Sequence, residues 1–259
     1  MPAPPDPASV TALERLAART WRGLEEQPYG DWLLRAGGGF TGRANSVLVL
    51  GNPPAGLPAA VADVTRWYRE RGLPARACVP GPAADADAAL AAAGWGRDED
   101  TVVLTGPAGP WPCPDVPVVL ADAPDEVWLT GYRAGGALPA SATAVLRRAE
   151  QPRFASVRPY PPPAPAVAVA RGAVAEDVLV ISAVTVDERH RRRGLATALM
   201  TTLAADARSR GARCCVLQVT ASNAPALALY ARLGFTEHHR YHYRTAPPPA
   251  ADSRGPARR

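Results

Sequence analysis

The stretch VTVDERHRRRGLATALM, residues 184–200, decides the reading of this chain. A β-branched strand ends at Val186, a basic turn follows, and a helix begins near Leu195. Leu195, Ala198, Leu199, Thr202, Leu203 and Ala207 share one face of that helix, and Gly211 closes it. A helix start carries backbone N–H groups without intrahelical partners and the positive end of the helix dipole. Arg189, Arg191, Arg192 and Arg193 surround that point, while Gly194 and Ala196 keep it free of bulk. The pattern predicts an anion site for a diphosphate-bearing ligand. The competing reading is a solvated basic loop.

Working outward, DVLVISAVTV (177–186) reads as a long strand and RCCVLQV (213–219) as the next. NAPALALYARLG (223–234) reads as a helix stopped by Gly234, and FTEHHRYHYR (235–244) as an extended segment. Upstream lie expected strands at 116–120, 154–158 and 166–174, with helical segments around 124–132 and 139–149. The first part of the chain reads as a helix at 11–24, a strand in YGDWLLRAGGGF before the glycine turn at 37–39, and a strand at 44–51. A helix at 59–72, a short strand ARACVP, a helix at 84–95 and a strand TVVLTG follow. Residues 60–105 therefore repeat the order of 195–244, with Gly94-Trp95 where Gly234-Phe235 stand, which suggests an internal repeat. GPAGPWPCP, 106–114, is the best linker. The expected organisation is a tail at 1–9, a first domain at 10–106, a linker at 107–115, a second domain at 116–245 and a tail at 246–259.

Arg191-Arg192-Arg193-Gly194-Leu195-Ala196 fits R-x-x-G-x-G/A, and Asn223 to Phe235 fits N-x-x-A-x-x-L-Y-x-x-x-G-F. With the strands and helices around them in the same order, residues 115–245 resemble the GNAT superfamily of N-acetyltransferases. The whole chain resembles the tandem-GNAT proteins of actinobacteria. The resemblance implies an α+β fold of two tandem GNAT-like domains. Each would be a mixed, mostly antiparallel sheet flanked by helices, and the C-terminal one complete.

The resemblance further implies a bulge in strand 177–186, splayed from 213–219. The pantetheine arm of acetyl-CoA would pair with the open edge near Ala183, Val184 and Val186, and its diphosphate would lie on the amides of residues 191–196. Asn223 would touch the pantetheine, or simply cap its helix. Tyr230 would return a proton to the departing thiolate, or be one more aromatic on an amphipathic face. Glu176 is a candidate general base, with a solvated turn residue or a water chain as the alternatives. The N-terminal copy has no R-x-x-G-x-G/A, and Leu90 and Ala83 stand where Tyr230 and Asn223 stand, so that half reads as degenerate.

The implied activity is acetyl transfer from acetyl-CoA, a co-substrate, to a primary amine on a small molecule or peptide by direct attack. A mycothiol-synthase-like acyltransferase and a catalytically idle CoA-binding sensor are the alternatives. Composition sets the outer bounds. The net charge is +5, with Arg as the entire Lys+Arg count of 29. Those arginines follow the GC-rich codon set of Ala, Pro and Gly, and the sharpest cluster is one turn, so nucleic acid is not the expected partner. The 29 prolines are about twice the usual ~5% share and act as punctuation. No apolar run of membrane length and no signal peptide is apparent. The four cysteines lack metal or redox spacing, and His238, His239 and His242 have no carboxylate or cysteine completing a ligand set. The expectation is a metal-free cytoplasmic protein, with a homodimer left open.

Overall fold

The computed structural model describes residues 10–133, 136–159 and 165–248. In chain order its elements are α1 (Val10–Thr20), β1 (Glu25–Tyr29), β2 (Trp32–Ala36), β3 (Val47–Leu48), α2 (Leu57–Glu70), β4 (Arg76–Pro80), α3 (Ala84–Ala92), β5 (Gly96–Arg97) and β6 (Thr101–Pro107). Then come β7 (Val119–Ala121), α4 (Glu126–Arg133), α5 (Ala142–Arg147), β8 (Arg153–Val157), β9 (Ala168–Ala175), β10 (Val178–Val186), α6 (Leu195–Ser209), β11 (Cys214–Thr220), α7 (Ala224–Arg232) and β12 (Thr236–Thr245). The expected tails fall largely outside the described residues. Asn45 explains why the strand expected at 44–51 is so short. Its Oδ1 accepts from the amides of Gly37 and Gly39, and its Nδ2 donates to the carbonyls of Phe40 and Thr41, so residues 44–46 belong to the loop.

Among the described residues the strands form one mixed sheet, in the order β1-β2-β3-β4-β12-β6-β11-β10-β9-β8-β7, with β5 beside β12. β3 and β4 run parallel, as do β10 and β11, and the other pairs are antiparallel. The final strands are exchanged. β6, from the first half, pairs with β11 over Cys214↔Pro107 to Thr220↔Thr101, and β12, from the second half, pairs with β4 over Tyr241↔Pro80 to Thr245↔Arg76. The two exchanged strands pair with each other in the middle.

Strand alternation divides the core between the two faces. In β10, Leu179 and Ile181 pack with Leu199, Leu203 and Ala204 of α6, while Val178 and Val180 pack with Leu13 and Leu16 of α1. Cys215 and Leu217 of β11 join the first group and Val216 the second. Helices α2, α3, α6 and α7 thus cover one face, and α1, α4 and α5 the other. The architecture is the mixed α+β, helix-flanked sheet expected from the sequence. The proline-rich stretch expected as a linker is packed: Arg208 Nη1 donates to the Ala108 carbonyl, and Trp111 Nε1 donates to the Leu233 carbonyl at 2.9 Å.

Candidate active site

The junction of β10 with α6 is built by two departures from regular structure. β10 pairs with β9 in register to Ser182↔Arg171, slips, and resumes at Thr185↔Val169. Ala183, with φ 55°, takes the positive-φ conformation inside that bulge. β10 also parts from β11. Their parallel pairing ends at Ile181↔Leu217, although the strands continue to Val186 and Thr220. Beyond Ile181 the β11-facing edge of β10 is open, and Ala183, Val184, Thr185 and Val186 are half-buried there. The expected bulge and splay are both present.

Past Val186 the chain makes a 3-10 turn at Glu188–His190, held by Asp187. Its Oδ1 accepts from the Arg189 amide at 2.9 Å and contacts His190 Nδ1 at 3.0 Å, which lowers the Asp187 carboxyl below its ordinary range. Arg192 and Gly194, with φ 63° and 76°, turn the chain into α6. The Arg191 amide bonds the Glu188 carbonyl, whereas those of Arg192, Arg193 and Gly194 meet no backbone acceptor among the described residues. Arg191 pairs with Glu188 at 3.2 Å. Arg189, Arg192 and Arg193 are exposed and form no ion pair among the described residues. Amides without a backbone acceptor and exposed arginines without an ion pair therefore lie together in the turn that enters α6. Gly194 departs from the expectation of open space above it. The space over Gly194 is not open, because a Cβ there would stand 2.6 Å from Cγ of Pro114, so the packed 108–118 segment takes it. Glycine is required at this position both by its φ and by that close approach.

Across the splay lies α7. Asn223 is its N-cap, with Oδ1 accepting from the Ala226 amide at 3.2 Å. Tyr230 is buried against the core that holds Cys215, with Phe235 edge-on at 6.1 Å. Burial first, and the nearby Cys215 second, push its hydroxyl up to about 12, so it stays protonated at neutral pH. Glu176 is not brought to this group. It occupies the β9–β10 turn with φ 57° and is paired with Arg19 at 2.7 Å, seven positions before the bulge residue and roughly 20 Å along the strand. A general base at the splay must be something else.

The histidines of β12 are engaged elsewhere. His239 Nε2 contacts Glu14 Oε1 at 2.8 Å in a buried pair, and His242 Nε2 contacts Asp87 Oδ1 at 2.6 Å. Among the described residues no three His, Cys, Asp or Glu side chains gather as a metal set, and no helix is long and apolar enough to cross a membrane. Sequence reasoning missed Trp21, Arg43 and Arg171, which meet on the opposite face of the sheet at the same bulge. An arginine inside the apolar run AVAVARGAV was the available signal.

The model of the family described as "Probable histone acetyltransferase Rv0428c C-terminal" matches residues 7–244. The mycobacterial protein named "Probable histone acetyltransferase Rv0428c", from Mycobacterium tuberculosis, is 35% identical over 133 residues, which are 50% of this chain and 40% of that protein. An "Uncharacterized N-acetyltransferase YobR" of Bacillus subtilis is 26% identical over 91% of this chain and 98% of its own. Among solved structures, a GCN5-related N-acetyltransferase from Kribbella flavida has the same fold, with TM-score 0.67 at 18% identity over 93% of this chain and 95% of its own. The chain belongs to the family described as "Probable histone acetyltransferase Rv0428c C-terminal", and its fold is that of the GCN5-related N-acetyltransferases.

Proposed function

We propose that this chain transfers the acetyl group of acetyl-CoA to a primary amine at the β10–β11 splay, by direct attack with both substrates bound. The observation that carries this reading is the parting of β10 from β11 after Ile181↔Leu217, beside a bulge and upstream of an amide-rich turn. The open edge at Ala183, Val184 and Val186 offers main-chain groups to the amide-bearing pantetheine arm, as an added strand would use them. The free amides from Arg192 onward, with the Arg191, Arg192 and Arg193 side chains, the main chain of Leu195 and the small Ala196, suit its diphosphate. Asn223 brings the start of α7 to the other side of the arm.

In the transfer, the amine lone pair forms the C–N bond as the C–S bond breaks. The nitrogen's surplus proton leaves through water, the Tyr230 phenol supplies one to the sulfur, and the tyrosinate left behind regains its proton from water. The Val184 amide stabilises the charge on the thioester oxygen. The first half is read as a degenerate copy of the second, which contributes its exchanged strand and part of the opposite face but no second catalytic set.

The test uses the full chain. Acetyl-CoA is expected to raise its melting temperature, and Arg192→Glu with Arg193→Glu to remove that shift while leaving the unliganded melt in place. Release of free CoA over an amine panel then reads the transfer. An unmoved melt in saturating acetyl-CoA overturns the reading.

A further inference from the structure

Arg171 is fully buried without an anion. It lies in the middle of β9, between Ser182 of β10 and Phe154 of β8, on the sheet face away from α6. Its Nε donates to the Leu146 carbonyl at 2.8 Å, whereas Nη2, also buried, has no acceptor among the described residues. The guanidinium lies 4.9 Å from the centroid of Trp21 and 6.0 Å from that of Phe154. The Arg43 guanidinium stands 4.2 Å from the same indole, and its Nη1 donates to a neutral acceptor, Gln218 Oε1, at 2.9 Å. Neither arginine forms an ion pair among the described residues.

A buried charge persists only where it is paired or well hydrogen-bonded. Ring faces and one carbonyl meet part of that need. Desolvation, reinforced by the Arg43 charge, lowers the Arg171 guanidinium to about 9, which still leaves it cationic at neutral pH. Glu14 lines a narrow cleft with Trp21, Arg43 and Gln218. His239 already holds its carboxylate.

The position matters as much as the charge. Gln218 is the first residue of β11 beyond its last pair with β10, and Ala183, the bulge residue, packs against the buried cluster that contains Trp21, Phe40, Trp128 and Phe154. The cluster therefore flanks the splay from the face opposite α6 and α7, where Phe40 and Tyr132 add an edge-to-face aromatic wall.

We infer that the amine acceptor carries a carboxylate or an equivalent anion, which Arg171 and Arg43 bind against Trp21 while its amine reaches the bulge. This rests on the transfer proposed above, with the acceptor entering from this face. It also sets this site against a lysine-rich peptide, whose charges would meet two uncompensated cations.

The test compares kcat/KM for CoA release by the full chain with amino acids, their carboxamides, the corresponding decarboxylated amines and a lysine-rich peptide. A charge-assisted contact of this kind predicts an acid-over-amide preference of roughly tenfold to a hundredfold. Arg171→Gln should bring the ratio near one. Arg43→Gln, at a half-exposed position, should do the same without depending on the buried site. Both variants should keep the acetyl-CoA-induced melting shift. Equal use of acid and amide, preference for the lysine-rich peptide, or an unchanged ratio in the variants overturns the inference. If acetyl-CoA shifts no melt, the transfer reading itself has failed. If acetyl-CoA binds but no amine turns over, the acids alone must still raise the melting temperature of the full chain and lose that effect in Arg43→Gln. No such shift also overturns the inference.

Discussion

The junction from β3 into α2 and the junction from β10 into α6 follow strands at matching places in the two halves of the chain, yet only the second carries arginines in its turn. Their scaffolds agree in detail. Gly72 and Gly211 follow the two helices, and the next residues bond back alike, Leu73 N to the Tyr68 carbonyl and Ala212 N to the Ala207 carbonyl, both at 3.0 Å. α3 and α7 close in the same way, with Trp95 N on the Leu90 carbonyl and Phe235 N on the Tyr230 carbonyl, again both at 3.0 Å. The junctions themselves differ. β3 is two residues long and pairs with β4 only through Val47↔Ala77 and Leu48↔Cys78. It leaves through Gly51, Asn52, Pro53 and Pro54, and Pro58 opens α2. Three prolines remove three backbone donors where the other half offers amides, and no arginine stands in the turn. Helix–strand packing is thus shared by the two halves, while the turn residues on which the proposed ligand binding rests stand in only one of them.

The strongest challenge to this comparison is to part the halves. A fragment of residues 116–259 lacks β6, so β11 would expose the edge along Cys214–Thr220 that now pairs with Thr101–Pro107. We expect it to show no cooperative thermal transition by circular dichroism and to aggregate, as an uncovered apolar edge does. Co-expression with residues 1–115 should restore a single melt. A fragment that melts cooperatively alone would mean that the exchanged strands are dispensable.

A smaller effect separates the two copies chemically. Tyr230→Phe is expected to lower kcat roughly a hundredfold with the acetyl-CoA-induced melting shift retained. Leu90→Tyr, at the matching place in α3, should leave turnover unchanged. Because the Tyr230 hydroxyl is held near 12, its own titration should not produce a falling limb in kcat below pH 10. Such a limb that survives in Tyr230→Phe would belong to another acid.

These contrasts were partly legible in the sequence. The matching closure of α3 and α7 was visible because a glycine–aromatic pair, Gly94-Trp95 and Gly234-Phe235, follows both at the same spacing, and that pattern is local. The bulge and splay followed from the resemblance carried by Arg191–Ala196 and Asn223–Phe235. The strand exchange was hidden, since β6 and β12 have compatible alternation whichever half they join, and register alone does not name a partner. The role of Pro114 was hidden too, because contact across eighty residues of chain leaves no mark in local composition. Glu176 was misplaced by the same limit: a carboxylate near a strand in sequence lies at the wrong end of it in space. Trp21, Arg43 and Arg171 come from three distant segments, and only the fold assembles them.

The least of these effects distinguishes the two seams where an exchanged strand meets a helix. At the α3 seam Asp87 takes Arg244 Nε and Nη2 at 2.6 and 3.0 Å and His242 at 2.6 Å. Seven positions before the closing glycine in both helices, Leu227 stands in α7 where Asp87 stands in α3, against the apolar β6 side of its own seam. The Arg244 guanidinium, followed by His242, holds the Asp87 carboxyl down to about 2 from its ordinary 3.8. A depressed carboxyl contributes stability that is complete above its unfolded value and is lost as pH falls through the folded one. The loss therefore belongs between about pH 4 and pH 2. The full shift would correspond to about 2 kcal/mol, and with the Asp87 side chain 27% exposed about 1 kcal/mol is a sounder expectation. Urea titrations across that range should show a shallower loss of stability for Asp87→Asn than for the unsubstituted chain. Leu227→Ala should lower stability by the same amount at every pH. If Asp87→Asn follows the acid slope of the unsubstituted chain, the α3 seam is not held by charge, and the two seams differ in composition without differing in physics.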